Sequence, residues 1–308
     1  MRELVRPPRL APGARVAVVA PSGPLEEDRL EAGLDVLRGW DLDPVVQPHA
    51  RDRHAELGHL AGTDADRAAD LQRAWCDPDV AAVLCARGGY GAQRMVDLLD
   101  WDALRAAGPK VLVGFSDTTV LHRAFADRLG LVTLYGPAVA GIDFIKNTRA
   151  QEHLRATLFA PETVRTIVAA QGPALVPGRA RGITLGGCLS LLAADLGTPQ
   201  APPVARGGLV LLEDVGELPY RVDRLLTQLL RAGRLEGVAG VGLGSWVKCG
   251  PYEELRAVFA DRLGDLGVPV LEEIGFGHCD GALTVPLGVA AELDADAGTL
   301  TLDEPALR

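Results

Sequence analysis

Four short apolar runs, each separated from the next by a helical stretch, constrain this chain more than any other feature of its sequence. Arg15-Val-Ala-Val-Val-Ala-Pro21, the pair Pro44–Val46, Val80-Ala-Ala-Val-Leu-Cys-Ala86 and Lys110-Val-Leu-Val-Gly114 read as strands, and Leu131–Leu134 reads as a fifth. The helical pattern between them covers about 26–40, 64–75, 92–99 and 117–129, with Leu30, Leu34 and Leu37 on one stripe of the first. Gly130 stands where a left-handed helix stop is expected. Apolar, branched strands alternating with helices predict a parallel sheet covered on both faces. Open sheets of this kind place their ligand crevice at the carboxyl ends of the strands. In this chain those ends carry Pro21-Ser22-Gly23, Arg87-Gly88-Gly89-Tyr90-Gly91, Phe115-Ser116-Asp117 and Tyr135-Gly136-Pro137. Small residues there let backbone approach a ligand closely.

The pattern loosens after about residue 141. A helix is expected over 149–158, followed by a connecting stretch that ends at Pro177-Gly178. Beyond it the expected strands are Gly208–Leu212, Val238–Leu243, Val268–Leu271, Leu283–Leu293 and Thr299–Leu302, and the clearest helix is 221–230. The reading is therefore an N-terminal α/β domain over 1–145 with a Rossmann- or flavodoxin-like parallel sheet, a connection over 146–178, and a smaller mixed α/β domain over 179–308. A chain of 308 residues with 48% hydrophobic residues can bury two such cores.

Composition excludes several functions. A formal net charge of −10 repels polyanions, so no nucleic-acid partner is expected. Pro7, Pro8 and Pro12 interrupt any signal-peptide core, and no run reaches the ~20 apolar residues of a membrane helix, so a cytoplasmic protein is expected. Cys76, Cys85, Cys188, Cys249 and Cys279 are odd in number and form no C-x-x-C pair, which reads as free thiols. His278-Cys279-Asp280 has metal-binding donor types, but adjacent residues rarely converge on one ion, and no metal or cofactor is expected.

Three segments carry chemistry. In Gly114-Phe115-Ser116-Asp117 a strand turns into a helix through a serine, the mechanics of a nucleophile elbow, although the second glycine of G-x-S-x-G is absent and a serine there also suits a helix cap. Of the six histidines, His49, His54 and His59 lie in a polar irregular segment. His122 is on the helix after Ser116 and His153 is on a charged, surface-type helix. His278 ends Gly275-Phe276-Gly277-His278, a glycine-shaped loop suited to presenting an imidazole. A general-base histidine needs an acceptor for its second nitrogen. Leu211-Leu212-Glu213-Asp214-Val215-Gly216-Glu217 offers carboxylates at a strand end, where Asp214 and Glu217 equally suit a helix cap or ion pairs with Arg221 and Arg224. Arg87-Gly88-Gly89-Tyr90-Gly91 lacks the Lys-Ser/Thr of a phosphate loop, and its N–H groups suit a carboxylate or an oxyanion.

Taken in order, PSG, RGGYG, GFSD, YGP, GGCLSLL (186–192), LLEDVGELPYRVDRLLTQL, GFGH and PLG (286–288) resemble the L,D-carboxypeptidase family of serine peptidases, which also contains the microcin C immunity peptidases. The resemblance runs from about Val16 to Gly288. It implies a Ser–Glu–His triad split between two domains: Ser116 of GFSD, Glu213 of LED (preferred over Glu217) and His278 of FGH. It implies an oxyanion hole from the N–H groups of Gly89 and Asp117, and a homodimer. The implied activity is release of terminal D-alanine from cytoplasmic murein tetrapeptides, with a small stem peptide as substrate. The alternatives are cleavage of a peptidyl or aminoacyl nucleotide, for which Trp246 is a candidate purine platform although a core tryptophan is the preferred reading, and a non-catalytic carboxylate- or nucleotide-binding protein.

Overall fold

The computed structural model describes residues 4–169, 174–201 and 203–308, so residues 170–173 of the expected connection lie outside the described residues. Among the described residues thirteen strands form two sheets. In chain order they are β1 (Arg15–Val19), β2 (Asp43–Val46), β3 (Val80–Cys85), β4 (Val111–Gly114), β5 (Thr133–Tyr135), β6 (Thr166–Val168), β7 (Arg179–Cys188), β8 (Gly208–Val215), β9 (Gly240–Val247), β10 (Val270–Leu271), β11 (Val285–Leu287), β12 (Ala290–Asp294) and β13 (Thr299–Leu302).

The first sheet has the order β11-β5-β4-β3-β1-β2. Its first five strands in sequence are parallel, as the branched runs predict. Val16 and Val18 face one apolar cluster and Ala17 and Val19 the other, which is how alternate residues of a strand must divide between two faces. The helices Glu27–Gly39, Asp64–Cys76 and Thr119–Leu129 fall where the periodicity places them, and Gly130 ends the last at φ +68°. A left-handed residue at that position costs glycine little.

The second sheet is mixed, with the order β10-β9-β8-β7-β12-β13-β6. Strands β7, β8, β9 and the edge strand β10 are parallel, and β12, β13 and β6 pair antiparallel. Helix Pro219–Arg231 buries Val222, Leu226 and Leu229 on it.

Three expectations change. The long strand over 283–293 is two strands: Gly288, at φ +100°, turns the chain so that β11 joins the first sheet against β5 and β12 joins the second against β7. β7 is a full strand that apolar patterning does not reveal, because Gly182, Gly186 and Gly187 interrupt it. A Cβ on Gly186 would lie 1.9 Å from the Leu211 carbonyl oxygen, so the glycines are the condition for its packing on β8. Helices Trp101–Ala106 and Tyr252–Leu263 also escape the sequence reading.

Candidate functional site

Ser116 follows β4 directly and has φ +61°, a left-handed backbone angle unfavourable for a residue with a Cβ. Such strain, roughly 1–3 kcal/mol, is characteristic of side chains held for chemistry. The neighbouring Thr119 hydroxyl donates to Ser116 O at 2.7 Å and accepts the Cys188 N–H at 3.1 Å, which ties the elbow to the end of β7.

His278 reaches the serine from the second half of the chain. Its Nε2 lies 3.1 Å from Ser116 Oγ and its Nδ1 2.7 Å from Glu213 Oε2. A carboxylate on Nδ1 places the proton there and leaves the Nε2 lone pair facing the serine hydroxyl. The histidine loop is fastened at several points. His278 N–H donates to Ser245 Oγ at 2.7 Å, and Asp143 accepts the N–H groups of Gly281 (2.7 Å) and Ala282 (3.0 Å). The Phe115 ring packs on the imidazole at 4.9 Å between centroids.

Glu213 is fully buried on β8, where the register with β9 shifts between Leu212 and Asp214. Gly277 makes room for it: a Cβ there would lie 2.3 Å from Glu213 Oε2. The second Glu213 oxygen accepts the Tyr135 hydroxyl at 2.6 Å, and that hydroxyl accepts the Ser116 N–H at 2.9 Å. Glu217 is engaged elsewhere, with Arg221. Asp214 does not cap the 221–230 region. It accepts Ser190 N–H at 2.7 Å and so anchors the start of helix Leu189–Ala194, and burial pushes its carboxyl up.

The glycine loop lies over the serine. A Cβ on Gly88 would be 3.0 Å from Ser116 Cβ and 3.3 Å from its Oγ, and Gly23 N–H donates to Gly88 O at 3.0 Å, so the first strand's loop supports the third's. Gly89 has φ +106°, and its N–H takes no partner among the described residues. The Asp117 side chain is buried and accepts Ala92 N–H at 2.8 Å, pinning the far end of the loop; burial pushes this carboxyl up as well. Arg67, buried beneath, donates to Pro21 O and to Gly91 O (2.8 Å). A serine, an oriented base and N–H donors in one crevice are the parts acyl transfer requires.

The other histidines lie apart from this chain of contacts. His49 pairs with Asp70 at 2.9 Å, which raises its pKa, and His54 accepts from the N–H groups of Glu56 and Leu57. His153 is half-buried: its Nδ1 accepts Thr284 N–H at 3.1 Å, and burial lowers its pKa to about 4. His122 Nε2 donates to Gly114 O at 2.8 Å, and burial likewise lowers it to about 4. Trp246 is a core residue, 8% exposed and packed at a tilt against Phe259 with ring centroids 4.8 Å apart, so it offers no purine platform. The five cysteines are free, and no cluster of three or more metal-binding side chains occurs among the described residues. No helix among them is long and apolar enough to cross a membrane.

Sequence reading missed Tyr135. The Tyr-Gly-Pro turn marked a strand end, and nothing in local sequence signals that the ring points back toward Ser116.

Comparison with known proteins identifies the family of the chain. A Streptomyces coelicolor protein is 78% identical over 307 residues, covering 100% of this chain and 99% of its own. The murein tetrapeptide carboxypeptidase of Pseudomonas aeruginosa is 34% identical over 292 residues, covering 92% of this chain and 94% of its own. The crystal structure of muramoyltetrapeptide carboxypeptidase from Oxalobacter formigenes superposes with a TM-score of 0.81 at 30% identity, covering 94% of this chain and 99% of that one. Residues 16–136 match the LD-carboxypeptidase N-terminal domain and residues 181–293 the LD-carboxypeptidase C-terminal domain. With both domains matched in order across a shared crevice, the chain belongs to the LD-carboxypeptidase family.

Proposed function

We propose that this protein is a serine carboxypeptidase that releases terminal D-alanine from murein tetrapeptides, with Ser116 as nucleophile, His278 as general base and Glu213 orienting the base. The observation that carries the reading is the unbroken contact chain from Ser116 Oγ through His278 to Glu213, made by a strained serine beneath a glycine loop. His278 Nε2 takes the hydroxyl proton as Oγ attacks the scissile carbonyl. The N–H groups of Gly89 and Asp117 receive the developing oxyanion. His278 then protonates the departing D-alanine amine, and water, activated by the same base, hydrolyses the acyl-enzyme. A single base serves both half-reactions because it ends each one in the protonation state that the next requires.

The two-unit organisation (1–145 and 179–308 joined by 146–178), cytoplasmic murein recycling and a homodimer belong to the same reading and rest on the family resemblance. Among relatives of the chain is the microcin C7 self-immunity protein of Escherichia coli, 27% identical over 281 residues. The burial of Trp246 removes that residue as the aromatic platform of a nucleotide substrate.

The test is D-alanine release from purified muropeptide tetrapeptide, followed by mass spectrometry for wild type and Ser116→Ala. Release by wild type, reduced at least about 10³-fold in the variant, is expected. Equal release by both removes Ser116 from the mechanism. No release by either removes the murein substrate and turns the same pair of proteins to aminoacyl nucleotides.

A further inference from the structure

The hydroxyl of Tyr135 touches both ends of the triad at once. It accepts the Ser116 N–H at 2.9 Å and donates to Glu213 Oε1 at 2.6 Å. Its proton has one destination, because an N–H only donates and a carboxylate only accepts. The ring is 1% exposed and stands edge-on to Phe115 and Phe276, with centroids 6.3 and 6.0 Å away. Among the described residues no other group bonds Glu213 Oε1 or the Ser116 N–H.

We propose that Tyr135 is a positioning residue of this active site: its hydroxyl aims Glu213 at His278 and turns the Ser116 amide away from the oxyanion, leaving the hole to the neighbouring N–H groups. The inference rests on reading Ser116, His278 and Glu213 as the triad. Ser116 and Tyr135 lie at the ends of adjacent strands of the first sheet, β4 and β5, whereas Glu213 lies on β8 of the second. One phenol therefore sets the distance between two parts of the machinery that no shared strand connects. Carboxylate orientation is what fixes the tautomer of a catalytic histidine, so an error of tilt at Glu213 passes directly to Nε2.

The bridge holds at any pH at which the enzyme works. Burial and the adjoining Glu213 push the phenol well above its ordinary range, so it stays a donor. The titratable groups that face it besides Glu213 are His122, 5.5 Å away on helix Thr119–Leu129, and Cys188 at the end of β7. Burial lowers the first to about 4 and raises the thiol, so both remain neutral. Asp214, beside Glu213, is bonded to Ser190 and Val215.

Removing the hydroxyl leaves Glu213 Oε1 buried without a donor and the Ser116 N–H without an acceptor. The carboxylate then acts on His278 alone and stabilises its protonated form more strongly. The acid limb of the rate profile therefore moves to higher pH. In Tyr135→Phe, kcat falls about 10–100-fold, the effect of losing one hydrogen bond to a charged group, and KM stays within about twofold because the buried ring does not meet substrate.

The experiment measures D-alanine release and, independently of the natural substrate, the rate of serine labelling by a fluorophosphonate, from pH 5 to 9. It compares wild type, Ser116→Ala, Tyr135→Phe, Glu213→Gln and the Tyr135→Phe/Glu213→Gln pair, with thermal melts as the fold control. Expected are the kcat loss, the displaced acid limb, and a smaller effect of Tyr135→Phe in the Glu213→Gln background, since the tyrosine acts through that carboxylate. Wild-type kcat and an unmoved limb in Tyr135→Phe, or full additivity in the pair, overturn the proposal while leaving the triad in place. Turnover and labelling that survive Ser116→Ala overturn the triad reading and the proposal with it. If Tyr135→Phe melts below assay temperature, 3-fluorotyrosine at 135 keeps the shape and strengthens the donor. The limb should then move to lower pH, and its failure to move overturns the proposal.

Discussion

Two stretches of the seam between the sheets meet the same helix, Thr119–Leu129, and could hardly differ more in construction. At the helix start lies the proposed triad, where Ser116, Tyr135, Glu213 and His278 form one continuous run of hydrogen bonds of 2.6–3.1 Å. Further along, the helix borders a cavity of about 270 Å³ lined mainly by apolar side chains, among them Leu185, Leu192, Val210 and Leu229. None of the four residues of the hydrogen-bonded run lines it. His122 Nδ1, Arg123 Nε and Arg234 Nε, on residues bordering this cavity, find no partner among the described residues. Interface packing is thus not what aligns the reacting groups. A directed polar chain fixes geometry to tenths of an ångström where generic apolar contact does not, and the protein places it only where geometry matters.

The sharpest way to break the contrast is Gly277→Ala. The added methyl would collide with Glu213 at a backbone angle, φ +100°, that alanine resists. Activity should fall about 10²–10³-fold, read as kcat/KM, with a thermal midpoint lowered by only a few degrees. A variant with near-normal turnover would show that Glu213 has latitude the hydrogen bonds do not suggest.

A second effect belongs to the cavity side and should appear in stability. His122 is held neutral by burial, its pKa lowered to about 4 from an ordinary 6.5. Between those values the unfolded chain binds the proton and the folded one does not, so this contribution is present above pH 6.5 and lost as pH falls toward 4. Its size is at most roughly 3 kcal/mol. Denaturant melts from pH 4 to 7 should show the slope, and His122→Gln, which retains a donor for Gly114 O, should flatten it. The half-buried His153 adds a slope of the same sign, which persists in that variant.

The smallest effect is expected from filling the cavity. Ala126 borders it, and Ala126→Leu should shift stability by no more than about 1 kcal/mol and leave kcat within about twofold. A large loss of activity would mean that the two stretches of the seam are mechanically coupled after all.

How much of this was legible follows the same division. Local rules gave the strands β1 to β5, because branched apolar runs and capped helices state their own geometry. They marked Ser116 and His278 only as candidates, through the elbow and the Gly-Phe-Gly-His loop, and the family resemblance chose between these and a helix cap or an ordinary turn. The resemblance preferred Glu213 to Glu217 without a physical reason, which appears in three dimensions, where one is buried on the imidazole and the other pairs with Arg221. Tyr135 was invisible for a related reason: its role lies in two partners 19 and 78 residues away. β7 was lost because glycines chosen for close strand packing erase the apolar period that would have announced it. Helix Tyr252–Leu263 did carry a signal, Leu255, Phe259 and Leu263 at four-residue steps, which its charged intervals obscured.

The turn at Gly288 has a consequence for how the molecule can be taken apart. Because it delivers Val285–Leu287 to the open side of Thr133–Tyr135, the sheet that carries the serine is completed by chain made some 150 residues later. A fragment ending near residue 145 would present a bare strand edge beside Tyr135 and should recruit copies of itself through it. During synthesis, then, the half that carries Ser116 should wait unfinished on the ribosome for its border strand. Splitting the gene at the connection should yield aggregates that the missing half, supplied as a separate polypeptide, redissolves only if present while they form.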